Sequence, residues 1–151
     1  MARVKYTKEM DPEVTSRAML YEVHISPKHV REICRELKGK RVTKAKEYLE
    51  EVINLRSPVP FKRYNRDVGH KKGKVGPGRY PQKAASEILR LIESAQSNAE
   101  YKGLESERMK IAHMTTHRGR VIEGMMPRAF GRATPKNTET TTVEVILESW
   151  S

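Results

Sequence analysis

Residues 123–136 read EGMMPRAFGRATPK, with two methionines and a phenylalanine set among glycines, prolines, arginines and small residues. Glycine and proline are too frequent for a helix interior, and the alternation is too weak for an ordinary half-buried strand. The stretch is also too apolar and too short for a disordered linker. Its flanks give it a place. Upstream, RMKIAHMTTH (108–117) is alternating and rich in strand formers; downstream, TTTVEVILES (140–149) puts Val143, Val145 and Leu147 on one face. If 111–117 pairs antiparallel with about 141–147, the midpoint falls near 129–130, so the chain reverses at RAFGR. Gly131 there offers the freedom a tight turn needs. About a dozen residues then project on each side beyond the sheet, an arm of about 40 Å at roughly 3.3 Å per residue. A two-stranded ribbon of that length is marginal in water, so the arm calls for a partner outside the chain.

The preceding segments supply the body to which the arm is attached. RAMLYEVHIS, from Arg17, predicts a strand with Met19, Tyr21, Val23 and Ile25 on one face. Ser26-Pro27 then opens a helix carrying Val30, Ile33, Cys34 and Leu37, which Gly39 stops. Thr43 is placed to cap a second helix with an Ala45, Tyr48, Leu49, Val52, Ile53 stripe, ended by SPVP at 57–60. A third helix, roughly 82–99, carries Ala85, Ile88, Leu89, Ile92 and Ala95. Between the second and third, FKRYNRDVGHKKGKVGPGRYPQK has no sustained period and reads as a long functional loop. The expectation is an α+β fold: a three-stranded antiparallel sheet against three helices, with a long protruding β-hairpin arm. Residues 1–151 form one domain, with a basic insert loop at 61–80 and an extended hairpin at 118–138.

Charge sharpens the functional reading. The chain carries a net charge of +11. Residues 62–83 hold eight Lys/Arg and one acid, residues 118–137 hold five and one, and the other 109 residues balance at 17 of each sign. The same two segments contain seven of the nine glycines. Cations concentrated on flexible backbone are the footprint of a protein that neutralises phosphates. Lys62, Arg63, Arg66, Lys71, Lys72, Lys74, Arg79 and Lys83 in the first segment are therefore candidate phosphate contacts, with Arg118, Arg120, Arg128, Arg132 and Lys136 in the second.

Other chemistries find little support. GHKKGKVGPG has one residue too few between its glycines for a phosphate-binding P-loop, and Val75 stands where the magnesium-binding hydroxyl would be. His113 and His117 have the spacing of a helical zinc pair but lie in a strand pattern, where they would sit about 13 Å apart. One cysteine, Cys34, excludes an internal disulfide and reads as a small core residue in reduced, intracellular surroundings. No apolar run is long enough for a membrane span, and the first residues lack a secretory core. No catalytic set can be assembled, and no cofactor or metal is expected. The alternative is a DNA-binding regulator using the first two helices as a helix-turn-helix, although Glu47, Glu50 and Glu51 would then face phosphate.

SRAMLYEVHISPKHVREICRELKGKRVTKAKEYLEEV, together with MPRAFGRATPKN and the Thr-rich return strand, resembles the universal large-subunit ribosomal protein L-twenty-two family, called L-seventeen in eukaryotic naming. The resemblance covers about residues 15–148, and the insert at 61–80 is similar to the archaeal and eukaryotic branch rather than the shorter bacterial pattern. It implies a cytoplasmic, non-catalytic ribosome component, present as a monomer within the particle. Its implied partners are large-subunit ribosomal RNA, neighbouring ribosomal proteins and the nascent polypeptide. The globular domain would sit near the exit-tunnel opening and the hairpin would line the tunnel. The implied tip is Met126, Pro127, Arg128, Ala129, Phe130, Gly131 and Arg132, with Phe130 where bacterial members often carry a basic residue.

Overall fold

The computed structural model describes residues 5–150. In chain order the elements are β1 (Thr15–Val23), α1 (Pro27–Leu37), α2 (Val42–Ile53), β2 (Val59–Pro60), β3 (His70–Lys71), β4 (Gly76–Arg79), α3 (Gln82–Tyr101), β5 (Met109–Ile122), β6 (Met125–Pro127), β7 (Ala133–Pro135) and β8 (Thr138–Ser149). The main sheet is antiparallel with order β1-β8-β5, so the last strand in sequence is the central one. Central position explains why β8 is buried on both faces from Thr140 to Leu147. Val143, Val145 and Leu147 join Ile33 and Leu37 of α1, Leu49 and Val52 of α2, and Ile88 and Ile92 of α3 in one core. Each such side chain stabilises the fold by about 1.5–3 kcal/mol relative to exposure.

The helices begin and end largely where the sequence indicates, with differences in the caps. Ser26 occupies the capping position of α1 but makes no side-chain cap; its carbonyl accepts the Val30 N–H at 3.1 Å. Gly39 takes φ 82, which favours glycine, and ends the helix. Thr43 does not cap α2: the helix starts one residue earlier, at Val42, with Arg41 flanking it. The turn between the two helices is tied to the sheet edge. Gly39 N–H donates to the Ile111 carbonyl at 2.8 Å, and Ile111 N–H donates to the Lys40 carbonyl at 2.9 Å.

The strand at 15–23 faces the other way from the expectation. Ala18 is in the core with Leu20 packed beside it, whereas Tyr21 is exposed and Met19 lies outside the core cluster. Val23 and Ile25 do reach the core. The period breaks between them because the register with β8 shifts between Leu20 and Val23, and Glu22 adopts φ 48. One extra residue in a bulge reverses which side chains point inward.

The insert is also more ordered than a loop. β2, β4 and β3 form a small antiparallel sheet in that order. Phe61 is buried with its ring edge-on to His29, centroids 5.5 Å apart.

At the far end of β5 and β8 the pairing continues through Ile122↔Thr138 to Met125↔Pro135 and Pro127↔Ala133. The turn matches the predicted position. Arg132 N–H donates to the Ala129 carbonyl at 3.4 Å, and Phe130 as well as Gly131 adopts positive φ, 57 and 67. Two consecutive positive φ values reverse the chain with the twist that suits a hairpin. From Arg120 to Glu139 all residues except Gly124 and Thr134 are exposed. Gly119, at the root, is required by close approach: a Cβ there would stand 2.5 Å from Thr140 Oγ1 and 3.0 Å from Glu22 Cγ.

Candidate nucleic-acid interface

The predicted contacts fall into two surfaces. Along the arm, Arg118, Arg120, Arg128, Arg132 and Lys136 are all exposed. Arg128 Nε donates to Thr134 Oγ1 at 3.2 Å, which holds the guanidinium beside the turn, and Arg132 lies 6.0 Å from the Phe130 ring centroid. Phe130 at the tip is 92% exposed and Met125, just before the tip, 67%, so neither is packed on this chain.

The insert's cations are less uniform. Arg63, Lys72, Lys74, Arg79 and Lys83 are exposed; Lys71 is half-buried with its ammonium 5.3 Å from the Tyr80 ring. Lys62 pairs with Glu36 at 3.2 Å, and Arg66 stands 4.0 Å from Asp67. Pairs this accessible to solvent are weak.

What orders the insert is a carboxylate that the sequence does not advertise. Glu32 of α1 is 1% exposed, and its oxygens accept the backbone N–H groups of Lys62, Arg63 and Tyr64 at 3.2, 2.8 and 2.9 Å. Three amide donors satisfy a buried charge that would otherwise be costly. The clasp fixes the insert against α1, and a cleft lined by Lys28, Tyr64, Arg66 and Arg79 opens between them. His29, on the same surface, has its imidazole pKa lowered from the usual 6.5, chiefly by burial and secondarily by the Arg79 charge.

A third basic surface was missed from the sequence. Lys28, Arg31 and Arg35 of α1, and Lys38 at its C-terminal cap, are all exposed. Their spacing of three, four and three residues puts them on one helical face. Tallied by segment, they vanish into the neutral remainder of the chain; read by helical face, they form a stripe.

Opposite the helices, Glu144 is fully buried and accepts the Thr7 N–H at 3.1 Å. His113 Nε2 lies 3.2 Å and His117 Nε2 3.7 Å from its Oε1. The two histidines expected to stand apart therefore converge, across the strand, on one carboxylate. Among the described residues no group of three or more His, Cys, Asp or Glu side chains is arranged to hold a metal ion. Cys34 is buried, and burial pushes its thiol up to about 12, which leaves it inert as a nucleophile.

The helix-turn-helix alternative fits this geometry poorly. The turn it needs is hydrogen-bonded to β5, and Glu47, Glu50 and Glu51 are exposed on the helix that would enter the groove. No described helix is long and apolar enough to cross a membrane.

A basic α+β body with a paired, solvent-exposed arm is the form of a protein that completes itself in a nucleoprotein assembly. Comparison with known proteins makes the class specific: the family described as Ribosomal protein L22p/L17e matches residues 18–148. The chain is 56% identical over 147 residues to the "Large ribosomal subunit protein uL22" of Methanococcoides burtonii, covering 97% of each chain. It is 54% identical over 149 residues to the protein of the same name from Methanocella arvoryzae, again 97% of each. A third relative of that name, from Methanococcus aeolicus, is 51% identical over 152 residues and 99% of each. The chain belongs to the ribosomal protein L22p/L17e family. That is a family of structural ribosomal components of the cytoplasm, not enzymes, and these relatives are archaeal, within the archaeal and eukaryotic branch that the insert resembles.

Proposed function

We propose that the chain is an RNA-binding constituent of the large ribosomal subunit. Its globular domain sits near the opening of the exit tunnel, and its arm passes through ribosomal RNA to line the nascent-peptide path. The observation that carries this reading is the arm itself. Val121, Ile122, Met125, Met126 and Phe130 are exposed, among arginines and beyond any contact with the core. Exposed apolar groups interleaved with cations suit RNA, whose bases accept apolar contact while phosphates accept guanidinium forks. Recognition follows shape and phosphate rather than a base code, because the cations are spread along backbone and not gathered into a groove reader. The body's neighbours are other proteins of the subunit, and the tip faces the nascent polypeptide.

The test is replacement of Arg128 and Arg132 together by alanine, followed by sedimentation of cell lysate in low salt and after a high-salt wash. The expected result is loss of the variant from the washed large subunit, with the melting temperature of the purified chain nearly unchanged. A large drop in that melting temperature would falsify the reading, since the arm would then be packing on its own domain.

A further inference from the structure

The outer face of the main sheet, away from the helices, is crossed by residues 5–10, which belong to no helix or strand. Ile146 shows that this segment is a cover. It is 2% exposed yet lies outside the core that the helices close, and Lys8, Met10 and Pro12 stand around it. The gap among them is about 10 Å³, no more than one water fills. Two residues along β8 on the same face, Glu144 is fully buried. Its two oxygens accept the Thr7 N–H at 3.3 and 3.1 Å, and His113 Nε2 stands 3.2 Å from the first of them. Beside Thr7, the Tyr6 ring centroid lies 5.0 Å from the Arg17 guanidinium, and burial raises the Tyr6 phenol above its usual pKa. Residues 11–14 are held separately. Lys102 Nζ donates to the Pro12 and Thr15 carbonyls at 2.9 Å each, Thr15 Oγ1 to the Asp11 carbonyl at 2.6 Å, and Ser149 N–H to the Val14 carbonyl at 3.1 Å.

We infer that residues 5–10 are a strap that opens as one unit on the fixed residues 11–14, with the Glu144 carboxylate as its latch. Ordering six residues costs backbone entropy at every position, and little packing offsets it. Tyr6 and Met10 are half-buried, and the other four are exposed. Among the described residues, the bond from Thr7 is the hydrogen bond that ties these six to the rest of the chain. The latch therefore decides the balance between closed and open. Opening does not strand a buried charge, because water enters as the strap leaves and solvates the carboxylate. A segment held this lightly belongs to the low-stability end of a molecule and opens without its core. Opening uncovers Ile146 and the carboxylate beside His113 and His117, a patch that the closed molecule hides. The inference goes beyond the RNA reading and does not depend on it.

The experiment is limited trypsin digestion of the purified full-length chain, with mass spectrometry of the product that begins at Glu9. Lys8 is exposed, but a protease must draw several residues around it off the sheet, so cleavage there follows the open population. Thr7→Pro removes the donated proton and leaves every sheet residue in place. It is expected to raise the rate after Lys8 roughly ten- to a hundredfold, the worth of a hydrogen bond to a charged group. Glu144→Met removes the acceptor at similar volume and is expected to do the same, and the two changes together no more than either alone. Cleavage after Arg17, inside β1, is expected to keep its wild-type rate in Thr7→Pro. An unchanged rate after Lys8 in Thr7→Pro would overturn the proposal, as would increases that multiply in the double variant. Equal acceleration after Lys8 and Arg17 would overturn it too, since the segment would then open only with the core. If Glu144→Met does not fold, Thr7→Pro with its Arg17 reference decides the matter alone.

Discussion

β5 and β8 lead two lives. At one end, Met109, Ile111, Val143, Val145 and Leu147 are sealed beneath helices; at the other, β5 carries Val121 and Ile122 in the open, beside exposed Thr138 and Glu139 of β8. The hydrogen-bonded pairing is continuous between the two regions apart from local bulges. The difference lies in what covers the side chains. Strand pairing gives both ends a shape, but burial stabilises only one, so the arm's apolar residues contribute to energy only when something else covers them.

The contrast is tested most sharply at its extremes. Leu147→Ala, in the sealed half, is expected to cost about 2–5 kcal/mol through lost burial and the cavity left behind. Phe130→Ala at the tip is expected to leave the denaturation midpoint of the purified chain unchanged. Equal losses by chemical denaturation would erase the distinction between the two ends.

A smaller effect is expected where the insert joins the body. Glu32→Ala strips three amides of their shared acceptor and should cost about 2–3 kcal/mol. Hydrogen exchange should accelerate at Lys62, Arg63 and Tyr64 before it does in β8. Simultaneous release of both would mean the insert and the core open as one unit.

At the boundary, Gly119→Ala drives a Cβ toward Thr140 Oγ1, which already donates to the Arg120 carbonyl at 2.7 Å. The expected cost is about 1–3 kcal/mol of overpacking. Its signature is faster exchange around Arg120, with the core amides of β8 still protected; an intact root would show that Thr140 and Glu22 yield freely.

The smallest effect concerns pH. The folded state holds His29 below its ordinary pKa of 6.5, so the unfolded chain binds the proton more readily. Stability from this residue is complete above that value and declines as pH falls through it. His29→Gln should flatten the decline, and a melting curve equally steep in both proteins would locate the acid sensitivity elsewhere.

Much of this arrangement was legible in the sequence, and the exceptions share a physical origin. The hairpin's turn could be located because two alternating strands fix a midpoint, whatever lies between them. Helix stripes were legible because burial on one side writes a period into composition. The phase of β1 was not, since a single bulged residue at Glu22 inverts it without disturbing the local pattern. The insert's sheet escaped notice because its strands are two to four residues long and partly glycine and proline. The basic face of α1 and the meeting of His113 and His117 at Glu144 are relations between faces and neighbouring strands. Such relations exist only after folding has chosen who stands beside whom.

The central place of β8 has a consequence for birth as well as for architecture. A chain emerging during translation delivers β1, all three helices and β5 before the strand that joins β1 to β5 exists. Until Val143, Val145 and Leu147 emerge, the earlier helices have no sheet centre to close upon, and pairing β1 with β8 spans nearly the whole chain. Closure of the core is therefore deferred to the end of synthesis, after the arm has been made. Until then the apolar faces of the helices stay uncovered, the condition in which a chain is most prone to misassociate.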